Sequence, residues 1–208
     1  MSAVSMKRVL LLPILLIVLL AGLTAYTGFS QAVSLRRSQD QVAHTHQVLE
    51  TVRGLFSSLQ DAETGQRGYL LTGREEYLEP WTAAKSRMPG QLERLRMLTA
   101  DNPVQTERVN RLSDAMDARL DVLERNLQLS RSGNLAAAQA NIATGLGKIQ
   151  MDRIRVIVRE IVAEEDNLLA GREALAEAEE HKSLWLSLGV GGLALAGLGF
   201  TVAAMARS

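Results

Sequence analysis

Two uncharged apolar stretches bracket the charged middle of this 208-residue chain. Residues 9–29 and residues 184–205 contain no Asp, Glu, Lys or Arg. Because an α-helix rises about 1.5 Å per residue, each stretch is long enough to cross a hydrocarbon core of about 30 Å. The pattern predicts two transmembrane helices, with residues 30–183 between them on one side of the membrane.

Basic residues beside these stretches predict which side that is. Lys7 and Arg8 precede the first stretch, and Arg207 follows the second. Short basic flanks stay in the cytoplasm. Residues 1–8 and residues 206–208 are therefore predicted to be cytoplasmic, and the middle segment is predicted to lie outside.

Each apolar stretch has an alternative interpretation. The first could be a cleaved signal peptide, with Ser30-Gln31-Ala32 as the cleavage site, although its apolar core is longer than that of most signal peptides. The second could be a buried helix of a soluble protein, but its five glycines suit a membrane helix better.

The composition argues against several functional classes. The chain carries 23 basic and 23 acidic residues, and this balance does not predict nucleic-acid binding, which needs a basic surface. Cysteine is absent, which excludes disulfides, thiolate metal sites and a cysteine nucleophile. His44 and His46 are two residues apart, so they do not share a helix face as a metal-binding pair would. The sequence contains no phosphate-binding loop and no nucleophile elbow, and it predicts neither an enzyme nor a bound cofactor or metal.

Apolar residues of the middle segment recur at helical spacing, and no run alternates as a strand would. Leu35, Val42, Leu49 and Phe56 follow one another at intervals of seven, and Val52 and Leu59 join them at the intermediate position. This stripe predicts an amphipathic helix that continues from the first apolar stretch. The dipeptide Thr72-Gly73 is predicted to end it.

Turn and cap signals divide the rest of the middle segment into further helices. A second helix is predicted over residues 74–98, kinked or interrupted at Pro89-Gly90. Asn102-Pro103 predicts the start of a third helix, and Gly145-Leu146-Gly147 predicts a break after a short fourth one. A last long helix is expected to begin near Lys148 and to run into the second apolar stretch. The predicted fold class is all-α, an antiparallel four-helix bundle between two transmembrane helices.

Residues 61–73 contain features that are unusual for a helix. Gly65 and Gly68 each cost about 1 kcal/mol relative to Ala inside a helix, so we expect them to allow the close approach of a neighbouring backbone. The apolar stripe, when extended, places Glu63 toward the core. Glu63 also lies four residues before Arg67, which suits an ion pair along the helix. The candidate site residues of this motif are Glu63, Thr64, Gly65, Arg67 and Gly68.

A length count brings Asp152 to the same level as Glu63. The separation of Glu63 from Ser30, where the first stretch ends, nearly equals that of Asp152 from Leu184, where the second begins. Both are then about 50 Å from the membrane if the outer helices are continuous. The sequence thus predicts a polar layer made by Glu63, Arg67, Asp152 and Arg155. Such a layer fixes helix register, binds a ligand or faces solvent, and these alternatives stay open.

Glu165 and Arg172 form a second candidate polar pair, seven residues apart on the stripe of the last helix. Two interpretations compete for them. Either charged residues are tolerated at a loosely packed end near the membrane, or the two residues form an ion pair between subunits.

The motif continues past its glycines. Residues 61–73 spell Asp-Ala-Glu-Thr-Gly-Gln-Arg-Gly-Tyr-Leu-Leu-Thr-Gly, and Tyr77-Leu78-Glu79-Pro80-Trp81 follows. This combination resembles the signature of the CHASE sensory domain, type three. Residues 147–155 and 164–172 resemble the last helix of that domain, and the whole resemblance spans roughly residues 31–182. It implies a bundle on the periplasmic side of a bacterial inner membrane, between two membrane helices, that forms a homodimer and has no catalytic activity.

Domains of this kind usually precede a histidine kinase, a nucleotide cyclase or a chemoreceptor signalling domain. Here Ala206, Arg207 and Ser208 alone follow the second apolar stretch. The resemblance therefore implies a sensory input module without its own output domain, acting through a separate output protein of one of those kinds, or else a piece of a longer receptor. The alternative is a structural or accessory membrane protein that associates with a receptor without sensing.

Overall fold

The structure, a computed structural model, describes the backbone of residues 3–206. It describes the side chains of residues 18–175, 177–178, 181–182, 184–193, 196–197, 199 and 203. Over this part of the chain every element is helical. The elements are α1 (Ala3–Thr72), a short 3-10 helix (Glu75–Leu78), α2 (Glu79–Leu98), α3 (Pro103–Arg131), α4 (Leu135–Ala143) and α5 (Leu146–Ala206). The prediction of an all-α fold is confirmed.

The chain divides into two compact units. The core unit comprises residues 42–169, and the terminal unit comprises residues 1–41 and 170–208. Within the described residues, the part of α1 that begins at Val18 is the one helix long and apolar enough to cross a membrane, by length and composition. A shorter apolar stretch, Leu184–Leu193, lies in α5.

Several parts of the predicted topology fall outside the described side chains. They include the predicted cytoplasmic residues 1–8 and 206–208, the start of the first apolar stretch, and much of the second stretch after Leu193. The two membrane crossings and the orientation therefore stay predictions.

Four long helices share the hydrophobic core of the core unit. On α1 the fully buried stripe is Val48, Val52, Leu55, Leu59 and Ala62, at alternating intervals of four and three. The other long helices contribute residues such as Leu95, Leu112, Leu123, Ile154 and Ile161. Leu49, Val52 and Leu59 of the predicted stripe are buried, whereas Leu35 is 61% exposed. The buried face also includes Val48 and Leu55, each one position before a predicted residue. The sequence offers two adjacent apolar stripes here, and period alone does not choose between them.

Local signals fix most helix ends where the sequence predicts them. The side chain of Asn102 caps α3, because its Oδ1 accepts hydrogen bonds from the backbone N–H groups of Val104 and Gln105 at 3.0 and 3.2 Å. Gly73 ends α1 with a φ of +71°, a conformation that favours glycine. Gly145, with a φ of +74°, separates α4 from α5.

The interruption predicted at Pro89-Gly90 is wrong. Helix α2 continues through both residues. Met88 and Leu95 of α2 are buried in the core on either side of this point. Their burial holds the helix together although Pro89 cannot donate a backbone hydrogen bond.

The 3-10 helix and the start of α2 pack directly on α1 at the two glycines of the motif. A Cβ on Gly65 would lie 2.9 Å from the Tyr77 carbonyl oxygen and 3.0 Å from the Trp81 nitrogen. A Cβ on Gly68 would lie 2.6 Å from the ring of Tyr77. The close approach that we expected from these glycines is observed, and the neighbour is the chain segment that reverses direction after α1.

Side-chain contacts give the directions of the long helices in the core unit. The contacts are Ser58–Gln91 and Gly65–Trp81 between α1 and α2, Lys85–Glu124 and Arg96–Ser113 between α2 and α3, and Arg108–Glu164 and Ala118–Gln150 between α3 and α5. For each two helices, the first contact and the second contact show that residue numbers rise along one helix while they fall along the other. Consecutive long helices are therefore antiparallel.

We expect Gly65→Ala to lower the free energy of unfolding by about 1–3 kcal/mol, because the new methyl group meets backbone atoms that cannot rotate away. The matched control is Gly90→Ala in α2, where a Cβ meets nothing within 4 Å. That change should be neutral or raise stability by about 0.5–1 kcal/mol, since Ala is the better helix former. Urea unfolding followed by circular dichroism measures both. Equal stability of the two variants would contradict the packing described here.

Candidate functional site

Glu63, in the middle of the motif, makes ion pairs with two arginines. It pairs with Arg67 one turn further along α1 and, at 3.2 Å, with Arg119 of α3. The side chains of Glu63 and Arg119 are 13% and 6% exposed, whereas Arg67 is 64% exposed. The pair with Arg119 is therefore the buried one, and Arg67 covers its solvent side.

Arg119 also lies against the beginning of α5. A Cβ on Gly147 would lie 2.5 Å from Nη1 of Arg119, so that position has no room for a side chain while the guanidinium stays in place. Arg119 thus contacts α1 through charge and α5 through close packing. We name Glu63, Arg119 and Gly147 the ion-pair cluster.

Asp152 and Arg155 belong to a separate group of charges on α5. The Asp152 carboxylate pairs with Lys148 and with Arg155, both at 2.6 Å. The hydrogen bond from Lys148, followed by that from Arg155, holds the pKa of the Asp152 carboxyl below its usual value. Asp152 and Arg155 are each about half exposed. Among the described residues, no ion pair joins this group to Glu63 or Arg67, so the charges of the predicted layer pair up in two places.

Sequence reasoning missed Arg119. Counting residues from the membrane gives the distance of each position on α1 and α5 from the membrane. It gives no such distance for α3, because α3 lies between two turns and does not begin or end at the membrane. A signal was nevertheless present, because Arg119 interrupts the apolar stripe of α3 between Met116 and Leu123. A charged residue on a buried stripe calls for a partner of opposite charge. Thr64, another predicted motif residue, is exposed.

Glu165 is buried in the core unit, with 3% of its surface exposed. Its Oε2 accepts a hydrogen bond from the Thr45 hydroxyl at 3.1 Å, and its Oε1 accepts one from the Gln105 amide at 2.9 Å. Thr45 and Gln105 are both fully buried. We name these three residues, from α1, α3 and α5, the carboxylate cluster. All three side chains are buried, which does not fit the interpretation that Glu165 lies at a loosely packed end.

The carboxylate cluster extends toward the surface through neighbouring groups. Gln105 Nε2 also donates to the Ile161 carbonyl at 3.1 Å. Arg108 donates to Gln105 Oε1 at 3.3 Å and to Glu164 Oε2 at 3.0 Å. Arg172, the other residue of the predicted pair, belongs to the terminal unit, where it donates to the Gln41 carbonyl at 3.3 Å.

Neither cluster has the composition of a metal site. Within the part of the chain that the structure describes, no group of three or more His, Asp or Glu side chains is placed to hold a metal ion. What both clusters do is connect helices, since each brings α1, α3 and α5 together around polar groups that are largely removed from water.

The family model of the CHASE3 domain matches residues 38–175. The chain belongs to the CHASE3 domain family. This confirms the resemblance carried by residues 61–73, and it makes residues 38–175 a sensory domain of an extracytoplasmic, non-catalytic kind. The match contains the whole of both polar clusters.

A solved structure supports the same assignment. The sensor domain of histidine kinase HK9 from Rhodopseudomonas palustris is 26% identical in sequence and superposes with a TM-score of 0.57. The similarity covers 61% of this chain and 98% of that one. No curated protein matches the chain.

We expect Glu63→Gln to lower the free energy of unfolding by about 3 kcal/mol, because it leaves the buried charge of Arg119 without a counter-ion. The control is Asp61→Asn, two residues away, which removes a half-exposed pair with Arg87 and should change stability little. The double variant Glu63→Gln with Arg119→Met should recover much of the loss. A double-mutant cycle from urea unfolding gives the coupling. Additive effects of the two changes would show that the pair does not matter.

Proposed function

We propose that this protein is a membrane-anchored input module of a signalling system. Its CHASE3 domain is an antiparallel four-helix bundle outside the cytoplasm, between two transmembrane helices. The observation that carries the proposal is the family match over residues 38–175, which begins in α1 and ends in α5, the two helices that continue into apolar stretches. The alternative, a purely accessory protein, does not explain why the chain contains a sensory domain.

The geometry of the core unit supports this topology. Thr45 near its beginning hydrogen-bonds Glu165 near its end, so the chain enters and leaves the core unit at the same end. Two membrane helices that cross one bilayer side by side need their extracytoplasmic segment to begin and end in this way. The termini are then both cytoplasmic, as the basic flanks predict.

The output belongs, in our proposal, to a histidine kinase, because the similar solved structure is the sensor domain of one. A cyclase or a chemoreceptor-type protein is the other class of output that the family implies. We further propose a homodimer. A stimulus displaces α5 relative to α1 by a small slide or rotation, and the second membrane helix carries that displacement inward.

The absence of cysteine makes the topology directly measurable. Arg125→Cys, at an exposed position of α3, and Ser5→Cys, which keeps the basic flank, provide one reporter for each side. In intact spheroplasts a membrane-impermeant maleimide should label position 125 far faster than position 5. Permeabilised spheroplasts should label both. Equal labelling in intact spheroplasts, or labelling at position 5 alone, would refute the proposed orientation.

A helix break tests the relay itself. Membranes that contain the protein and its candidate partner histidine kinase should show an autophosphorylation rate different from that of the kinase alone. Ala174→Pro interrupts α5 at an exposed position after the core unit and should abolish this difference, because proline breaks a helix interior. Ala174→Leu keeps the helix and should preserve it. If the proline variant still modulates the kinase, the protein acts as an accessory rather than as a relay.

A further inference from the structure

Glu165 occupies a position where an apolar residue would fit the pattern. The buried stripe of α5 contains Met151, Ile154, Ile157 and Ile161, and Glu165 follows at the next interval of four. The side chains of Thr45 and Gln105, which donate hydrogen bonds to it, are neutral. A buried carboxylate held by neutral donors loses more hydration than such bonds return, so it is not there to maximise stability.

What the carboxylate cluster does specify is the axial position of α5. The residues about one turn away on the same face of α5 are Ile161 on one side and Leu168 on the other. If α5 slid by one turn, an aliphatic side chain would replace the carboxylate between Thr45 and Gln105. The hydroxyl and the amide would then both lose this acceptor inside an apolar core, which is unfavourable for each of them.

The ion-pair cluster specifies the same axial position. The separation from Thr45 to Glu63 along α1 equals the separation from Gly147 to Glu165 along α5. The two clusters are therefore spaced by equal lengths of the two antiparallel helices. A one-turn slide that removed Glu165 from its partners in one direction would bring Met151 to the place of Gly147. A side chain there meets the Arg119 guanidinium while that group stays paired with Glu63.

The neighbouring surface charges of α5 do not restrict the helix in this way. Glu160 pairs with Arg111 and Glu164 with Arg108, but all four side chains are between 20% and 42% exposed. Long, partly exposed side chains follow a moving helix or exchange their partner for water at little cost. The buried Glu165 side chain can neither follow its partners when α5 moves nor exchange them for water.

We propose that Glu165 is a register latch: its hydrogen bonds to Thr45 and Gln105 hold α5 at one axial position against α1 and α3, and a displacement of α5 requires them to open. The proposal rests on the proposed function in taking α5 as the helix that moves. It adds the residue that sets the resting position of that helix.

The test is a distance measurement in the full chain reconstituted in nanodiscs and diluted with unlabelled protein. Spin labels are attached through Glu50→Cys on α1 and Arg153→Cys on α5, both exposed positions, and pulsed electron paramagnetic resonance gives their separation. With Glu165 present we expect one narrow distance. Glu165→Leu should broaden or shift the distribution by up to one helical turn, about 5.4 Å. The control, Glu160→Gln, removes a pair with Arg111 outside the carboxylate cluster and should leave the distribution unchanged.

Two further variants keep the test decisive if Glu165→Leu does not fold. Glu165→Gln retains the shape but turns one acceptor into a donor, and Gln105→Leu removes the opposite group. Each should broaden the distribution in folded protein. An unchanged narrow distance in both, with helical content preserved, would overturn the latch.

The measurement needs no partner protein, so it separates the latch from the proposed function. Broadened distances in a protein that does not influence any kinase support the latch and count against the relay. Unchanged distances in a protein that does modulate its kinase leave the relay in place and remove the latch.

Discussion

A single buried arginine, Arg119, connects three helices at one end of the CHASE3 core. Its charge requires the carboxylate of Glu63 on α1, and the space that its guanidinium occupies requires the missing side chain of Gly147 on α5. Burying such a pair costs more hydration than the attraction returns unless the geometry is well matched. Its contribution is therefore better understood as register: other alignments of α1, α3 and α5 would leave a charge unpaired or place a side chain on the guanidinium.

Many positions of the motif over residues 61–73 are constrained, because this part of α1 contacts several neighbouring segments. Glu63 faces α3, whereas Gly65 and Gly68 receive the chain segment that leads into α2. Gln66, between them, donates to the Leu123 carbonyl of α3 at 3.0 Å. Gly73 then ends the helix in a conformation that favours glycine. Within this short part of α1, steric, ionic and hydrogen-bonding constraints each involve a different partner, so substitutions at these positions disturb different contacts.

Local chemistry made the helix ends predictable, and three-dimensional context decided the rest. The cap at Asn102 and the turn at Gly73 depend on a few neighbouring residues, so the sequence predicts them correctly. The break expected at Pro89 is wrong because core contacts of α2 on either side compete with the local helix-breaking tendency. The level predicted for Glu63 and Asp152 came from counting along two helices, and such a count carries no rotational information. It could not show that Arg119, on a third helix, is the partner that Glu63 meets.

The two clusters differ in how they compensate for burial, and the difference bears on motion. The ion-pair cluster has Arg67 at its solvent side, so the Glu63 carboxylate keeps a partner if Arg119 moves. The Glu165 carboxylate lies between two fully buried donors, and displacing it disturbs three polar groups inside an apolar core at once.

The equal spacing of the clusters along α1 and α5 limits which motions are possible. In the direction that brings Met151 to the place of Gly147, a rigid α5 cannot leave the carboxylate cluster by sliding without a side chain meeting the Arg119 guanidinium. In that direction a displacement of α5 must therefore be smaller than one turn, or it must include a rotation or a bend between Gly147 and Glu165. A bend would allow the ends of this segment to move separately. The end at Glu165 would then offer the higher resistance, because its carboxylate lies between two fully buried donors, whereas Glu63 also pairs with the exposed Arg67.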